Sequence, residues 1–126
     1  MYQFWNPSPV GAKVGDCAVR AIAKALDVDW ETAYTMLCLK GYAMYDMPNS
    51  NSVINALLND KGYVRGAVPN TCPNCYTVED FANDNPVGTY ILGVGEHVVC
   101  VKDGTVYDSW DSTKEIPIFY WRKERE

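Results

Sequence analysis

The residues of this chain that could do chemistry together are a cysteine, its single histidine and an aspartate. Cys17 follows Asp16 at the start of a stretch in which apolar residues recur at helical spacing from Ala18, while Arg20 and Lys24 fall on the polar side. Asp16 is a residue type preferred at the N-cap, so the helix is expected to begin there. A helix N-terminus offers unpaired N–H groups and a partial positive charge, which favour a thiolate. Cys17 is therefore placed where a thiol becomes a nucleophile.

The histidine, His97, lies in an apolar stretch that ends at Asp103-Gly104, a dipeptide typical of two-residue hairpin turns. In that register His97 is opposite Trp110, and it shares one face of the hairpin with its diagonal neighbour Asp108. Asp108 could then accept the Nδ1–H of the imidazole and leave Nε2 free to take a proton from the thiol. A shift of one residue would place Asp108 on the opposite face. The predicted register indicates a Cys–His–Asp triad.

Each of these residues also has a purely structural interpretation. A free cysteine is more often a small buried hydrophobic residue, and a histidine in a strand is more often hydrogen-bonded for structural reasons. The coincidence of a helix-opening Cys17 with His97 and an acid on the same hairpin face favours catalysis over these interpretations.

The order of these residues resembles that of the papain-like cysteine peptidase superfamily. Asp108-Ser109-Trp110 is similar to the Asn-Ser-Trp of that superfamily, with a carboxylate in place of the amide. Many bacterial members, including the peptidase domains of bacteriocin exporters, open their helix with Asp-Cys and use aspartate as the third residue, and Asp16-Cys17 and Asp108 resemble that branch more closely. Residues 15–22 resemble small papain-like proteins of gut bacteria and their phages that carry Gly-Asp-Cys-x-x-Arg-Ala-Ile. The resemblance implies a thioester acyl-enzyme and a Trp110 that shields the histidine–aspartate pair, although Trp110 has an equal claim to be an ordinary sheet aromatic.

The oxyanion hole departs from the pattern of the superfamily, whose glutamine usually lies a few residues before the nucleophile. Residues 10–14 contain no glutamine. Asn6 is the predicted replacement, with the backbone N–H of Cys17 as second donor and Lys13 as a cationic alternative. A turn residue before Pro7 is the competing interpretation of Asn6. A missing donor typically costs about 100- to 1,000-fold in turnover, so an inactive or weakly active papain-like module that binds a protein partner is the alternative function.

The hydrophobic pattern predicts helices in the first half of the chain and mainly strands in the second. Helices are expected from Cys17, after Asp29, around residues 53–58 and from Thr77, with a short strand over residues 63–68 between the last two. Further strands are expected over residues 88–94, 96–102, 105–110 and 116–121, followed by a solvated tail over residues 122–126. This is an α+β pattern, in which N-terminal helices pack on a C-terminal antiparallel β-sheet, as the papain-like resemblance also implies. Loops over residues 6–14 and 44–52 are expected to contact the substrate.

Composition predicts one globular domain over residues 1–126, since 48% of the residues are hydrophobic. The resemblance implies that this domain is papain-like. A net charge of −5 argues against a nucleic-acid partner. The absence of a signal-peptide pattern and of a bilayer-length apolar run predicts a cytoplasmic protein with no membrane partner. Five cysteines, an odd number, fit a reducing compartment better than a disulfide framework.

The lone C-x-x-C motif, Cys72-Pro73-Asn74-Cys75, has three possible roles: half of a zinc site, a redox pair or a loop. Zinc needs about four ligands, and Cys38, Cys100 and His97 supply no second close pair. A thioredoxin-like pair would open a helix after a strand, whereas the flanking residues indicate a loop. A loop with free or reversibly oxidised thiols is therefore favoured, with Cys38 and Cys100 in the core. No metal and no cofactor are expected.

The sequence thus predicts a small thiol hydrolase, foremost a peptidase, that acts on a peptide or protein substrate. Cys17 would attack a carbonyl, His97 would act as general base and then as acid, and Asp108 would orient His97. Cleavage of a peptide, isopeptide or side-chain amide bond, acyl transfer and deamidation all stay open, and so does the oligomeric state.

Overall fold

The fold is a six-stranded sheet with helices on both faces. The computed structural model describes residues 1–11 and 14–124. The helices are α1 (Cys17–Leu26), α2 (Trp30–Met44), α3 (Asn51–Asp60) and α4 (Val78–Asp84). The strands are β1 (Tyr2–Phe4), β2 (Tyr63–Ala67), β3 (Thr89–Val94), β4 (His97–Lys102), β5 (Thr105–Asp108) and β6 (Phe119–Lys123). Their order in the sheet is β1-β5-β4-β3-β6-β2. The predicted α+β class is confirmed.

The predicted division into N-terminal helices and a C-terminal antiparallel sheet is wrong in one respect. The chain begins with β1, which pairs in parallel with β5, whereas the other pairs of described strands are antiparallel. The N–H of Val106 donates to the Met1 carbonyl at 2.8 Å, and the N–H of Trp5 donates to the Asp108 carbonyl at 2.7 Å. A three-residue strand is too short for a periodic pattern, so these hydrogen bonds to a distant partner define it.

Helix α1 packs on β4 as predicted and joins the larger of two cores. From β4, Val98 and Cys100 face this core, while Val99 and Val101 face a smaller core with α4 on the other side of the sheet. The buried residues of α2 and α3 are Ala33, Leu37, Gly41, Val53, Ile54, Leu57 and Leu58. Cys38, expected in the core, is only partly buried. Tyr34, on the same helix, is half-exposed and stacks on Trp30 at the helix surface.

The predicted turn and cap signals explain where several elements begin. Asp103 and Gly104 have φ angles of 49° and 77°, which a two-residue turn between antiparallel strands requires. Lys102 pairs with Thr105 across the turn, so the predicted register is confirmed. Thr77 forms a capping box at the start of α4.

The end of the chain differs from the prediction. Strand β5 stops at Asp108, before Trp110, and β6 extends to Lys123. Arg122 and Lys123, expected in a solvated tail, pair with β2, because strand hydrogen bonds on that side hold the backbone whatever the side-chain polarity. Residues 125–126 lie outside the described part of the chain.

Cys72 and Cys75 are joined by a disulfide within a loop, so the loop prediction is confirmed and the pair is oxidised. No helix in the described ranges is both long enough and apolar enough to cross a membrane. The cytoplasmic location stays a prediction.

Candidate active site

The three predicted residues meet at one end of the sheet. Cys17 is the first residue of α1, His97 the first of β4 and Asp108 the last of β5. His97 Nε2 lies 2.6 Å from Asp108 Oδ2, and the His97 ring is also hydrogen-bonded to the Cys17 thiol. Asp108 is buried, and the His97 side chain is 16% exposed. The packing of α1 across β4 and β5 brings these strand ends to the helix N-terminus.

The imidazole is oriented the other way from the prediction. Nε2 bonds to Asp108, whereas Nδ1 was expected there, and Nδ1 is therefore the nitrogen left for the Cys17 thiol. The register places both strand residues correctly, but the rotation of the ring depends on where Cys17 lies. Either ring nitrogen can exchange a proton with sulfur, so the reversed ring still allows His97 to act as the base and Asp108 to orient it.

The electrostatics favour a charged pair over a neutral one. Burial raises the pKa of the Cys17 thiol, but the His97 ring, the Val98 N–H and the charge of Arg20 outweigh burial and bring this pKa below its ordinary value. Burial alone would lower the pKa of His97, yet the hydrogen bonds and charges of Asp108 and Cys17 raise it from 6.5 to about 9. A thiolate facing an imidazolium is the state that nucleophilic catalysis requires.

Asp108 is surrounded by four hydrogen-bond donors. Oδ2 accepts from His97 and, at 2.7 Å, from the Ser112 hydroxyl; Oδ1 accepts from the Ser109 N–H at 2.7 Å and from Arg20 at 3.4 Å. Burial raises the pKa of this carboxyl, and the hydrogen bonds from His97 and Ser112 outweigh that effect, so the pKa falls below its ordinary value. An amide in this position would have to turn its NH2 group toward a donor. Four donors therefore favour a carboxylate over an amide at this position.

Arg20 is a further candidate functional residue, and the helical pattern assigned it to the wrong side of α1. Predicted on the polar side of α1, it is only 7% exposed and bridges the buried carboxylates of Asp16 and Asp108. Its Nε atom is buried without a hydrogen-bond partner among the described residues. The four-residue spacing from Asp16 to Arg20 was the available signal, since residues at that spacing meet on a helix.

Asp16 does not cap α1 through its side chain, contrary to the prediction. Its Oδ1 pairs with Arg20, and its Oδ2 accepts from the Trp30 indole at 3.0 Å. The buried cation competes for the carboxylate that would otherwise turn back onto the helix. The first-turn N–H groups around Cys17 are therefore left without a side-chain cap.

Asn6, the predicted oxyanion donor, lies in the wall of the cleft that contains Cys17 and His97. Its Oδ1 accepts from the Ser8 N–H at 3.1 Å, so the turn interpretation holds for its oxygen. Its Nδ2 has no hydrogen-bond partner within residues 1–11 and 14–124. The alternative donor Lys13 lies outside these ranges.

Two clefts flank the reacting groups, and Cys17, His97 and Glu96 line both of them. The first cleft, of about 700 Å³, is also lined by Phe4, Asn6, Gly11, Val14, Ser109 and Trp110. The second cleft, of about 530 Å³, is also lined by Gly15, Ala18, Asn49, Asn51, Gly95 and Ile54. Both loops expected to contact the substrate contribute to these walls.

Trp110 lies just beyond β5, with its ring centroid 5.0 Å from that of His97. It is 45% exposed, so it covers one side of the imidazole while keeping a surface toward the first cleft. Its neighbour Asp108 is sealed from solvent. The interpretation of Trp110 as an ordinary strand residue is wrong, because the strand ends before it.

Comparisons with models of protein families, with curated proteins and with solved structures find no match to this chain. Within the described ranges, no three histidine, cysteine or acidic side chains are grouped as metal ligands would be. Any function for the site must therefore be inferred from its own geometry.

Proposed function

We propose that the protein is a papain-like cysteine hydrolase, foremost a peptidase, whose nucleophile is Cys17. The observation that carries this proposal is the hydrogen-bonded chain from Cys17 through His97 to Asp108 at a helix N-terminus, between two open clefts. Helix α1 crossing antiparallel strands that carry the histidine and the acid supports the papain-like assignment. The parallel strand β1 and the absence of a glutamine before Cys17 are departures from the pattern that the resemblance implies.

In the proposed reaction, His97 holds the thiol proton on Nδ1 and the Cys17 thiolate attacks the substrate carbonyl carbon. The tetrahedral intermediate collapses to a thioester as the imidazolium gives its proton to the leaving amine. His97 then takes a proton from water, which attacks the thioester and frees the acid. The backbone N–H of Cys17 and the Asn6 amide are the proposed donors to the oxyanion.

Two further residues act through His97 and Asp108. Arg20 neutralises part of the buried negative charge of Asp16 and Asp108, and so holds the Asp108 carboxylate in place against His97. Trp110 lies against the imidazole and excludes water from one side of it. Both are proposed as positioning residues, since neither needs to touch the reacting atoms.

The first test is the pH dependence of iodoacetamide labelling, followed site by site with peptide mapping. Cys17 is expected to react at mildly acidic pH, at least about 10-fold faster than Cys38, and this advantage should disappear in His97→Ala. Cys100 serves as an internal unreactive control because it is fully buried. Equal labelling of Cys17 and Cys38 at pH 6 would refute a thiolate–imidazolium pair.

The alternative function is a papain-like binding module that does not turn over substrate. It is favoured by the engagement of the Asn6 oxygen in a turn and by the missing glutamine. Under this alternative, His97→Ala leaves the affinity for a protein partner unchanged. Fast labelling of Cys17 together with turnover that is lost in His97→Ala would decide for the hydrolase.

A further inference from the structure

We infer that the substrate carries a bulky apolar side chain beside the bond that Cys17 attacks, and that this side chain occupies the first cleft. This inference rests on the proposed hydrolase function. Phe4, Val14 and Trp110 line that cleft and are 60%, 59% and 45% exposed. They share the cleft with Cys17, so a group bound against them lies next to the nucleophile.

These apolar surfaces are held in place by the fold and left uncovered by it. Phe4 belongs to β1, whose pairing places it beside Asp108 at the end of β5. Trp110 is held against the His97 ring. Burying apolar surface stabilises a complex, and neighbouring exposed apolar side chains mark surfaces that a ligand covers. A large aliphatic or aromatic side chain suits such a surface best.

The second cleft has a different chemical character. Asn49 and Asn51 line it with amide groups, and its larger apolar residues, Ile54 and Val98, are 2% and 6% exposed. This cleft therefore offers hydrogen bonds and little apolar surface to a ligand. A peptide that passes the nucleophile through both clefts meets an apolar wall on one side and a polar wall on the other.

Glu96 strengthens the discrimination, because it is exposed and lines both clefts next to His97. A carboxylate there repels acidic side chains near the attacked bond and leaves apolar ones unaffected. The expected substrate is thus a peptide with a large apolar residue on one side of the bond and without acidic residues on either side.

The test is cleavage of a degenerate peptide library by the full chain, with products identified by mass spectrometry. Wild type is expected to enrich large aliphatic and aromatic residues at one position next to the cleaved bond. Phe4→Ala should lower kcat/KM for such peptides by about 10-fold and for alanine-containing peptides by less than 2-fold. Tyr42→Ala is the matched control, since Tyr42 is 82% exposed on α2 and lines neither cleft.

Iodoacetamide labelling of Cys17 in the same samples distinguishes a failure of the substrate inference from a failure of the proposed function. If Cys17 is labelled normally, three results would overturn the inference and leave Cys17 as the nucleophile. These are cleavage without apolar enrichment, no cleavage at all, and an equal decrease of kcat/KM in Phe4→Ala for both peptide classes. Slow labelling of Cys17 in wild type would instead overturn the proposed function. Acid-containing peptides should become better substrates in Glu96→Gln, and their continued exclusion would contradict the role of Glu96.

Discussion

Cys17 and Cys100 lie against the same interface between α1 and β4, but their chemistry is opposite. Cys100 is fully buried among apolar side chains, and burial raises the pKa of its thiol to about 12. Cys17 is partly buried at the polar end of the interface, where His97, the Val98 N–H and Arg20 bring the pKa of its thiol below the ordinary value.

The difference shows that burial by itself makes a thiol inert, and that specific partners make it reactive. His97 and Cys100 are three positions apart on β4. At Cys100 burial outweighs the charges of Lys24 and Lys102, whereas at the strand end hydrogen bonds and charges from other elements outweigh burial. The apolar centre of the interface supplies rigidity, and its polar end supplies the proposed chemistry.

The largest effect is expected from exchanging the two cysteines in turn for alanine. Cys17→Ala should reduce peptide hydrolysis by at least about 1,000-fold, because the proposed nucleophile is lost. Cys100→Ala should keep turnover within about 2-fold and lower the free energy of unfolding by about 1 kcal/mol through a small cavity. Turnover assays and urea denaturation of both variants make the comparison. A Cys100→Ala variant that folds but has no activity would contradict the contrast between the two cysteines.

Asp108→Asn is expected to lower kcat/KM by about 100-fold, although asparagine holds this place in the superfamily that the chain resembles. The amide must oppose one of the four donors around Asp108, and it removes the charge that raises the pKa of His97. The alkaline limb of the pH–rate profile, expected near pH 9 in wild type, should move to lower pH. Asp60→Asn, at a half-exposed carboxylate on α3, is the control. An unchanged pH–rate profile in Asp108→Asn would contradict the proposal that the charge of Asp108 raises the pKa of His97.

Arg20→Met is expected to lower the free energy of unfolding by about 3 kcal/mol, since it leaves two buried carboxylates without their cation. Lys40→Met removes a more exposed cation paired with Asp60 and should cost less than about 0.5 kcal/mol. Urea denaturation compares the two variants.

Arg20→Lys keeps the charge and is the matched control for Arg20→Met. In Arg20→Met, the midpoint of Cys17 labelling should move to higher pH while Cys100 stays unreactive, since the charge of Arg20 helps to lower the pKa of Cys17. In Arg20→Lys, the midpoint should stay near its wild-type value. A loss of stability in Arg20→Met with an unmoved midpoint would limit Arg20 to a structural role.

The smallest effect is a pH dependence of stability. In wild type, Cys17 loses a proton as His97 gains one, so the two titrations offset each other. Cys17→Ala isolates His97, whose folded pKa is still raised above 6.5 by Asp108. A folded pKa above the unfolded value stabilises the protein at pH values below the unfolded pKa. This contribution is lost as the pH rises through the folded pKa, which is lower than in wild type because the contribution of Cys17 is gone.

Urea denaturation of Cys17→Ala with and without His97→Ala should therefore show a difference on the order of 1 kcal/mol at pH 6 that vanishes by pH 9.5. A difference that grows with pH would mean that burial, rather than Asp108, controls the imidazole. The same comparison in the Cys100→Ala background should show a smaller trend, because Cys17 is present there and loses a proton as His97 gains one.

Local signals account for the parts of the fold and site that were predicted correctly. The Asp103-Gly104 turn sets the hairpin register, and with it the pairing of His97 with Asp108. The periodic apolar residues after Cys17 set the start of α1. These features depend on neighbours within a few positions, so they can be inferred from one chain.

The errors share a non-local cause. Strand β1 exists through its pairing with β5 at the other end of the chain. Arg20 pairs with a carboxylate 88 positions downstream, which helps to explain its burial. The side chain of Asp16 is held by Arg20 and Trp30, so it does not cap α1. The orientation of the His97 ring depends on the position of the Cys17 thiol at the start of α1. The periodicity of the sequence assigns a charged residue to the polar face of a helix. It contains no information about an oppositely charged residue far away in the chain.

The sequence alone thus determined the elements, the hairpin register and the identity of the three residues proposed for catalysis, because turn and helix signals are encoded by short-range sterics and hydrogen bonding. Tertiary structure alone decided which imidazole nitrogen meets Asp108 and which cation neutralises it. Those outcomes depend on electrostatic interactions that act over a few ångströms between groups far apart in the chain.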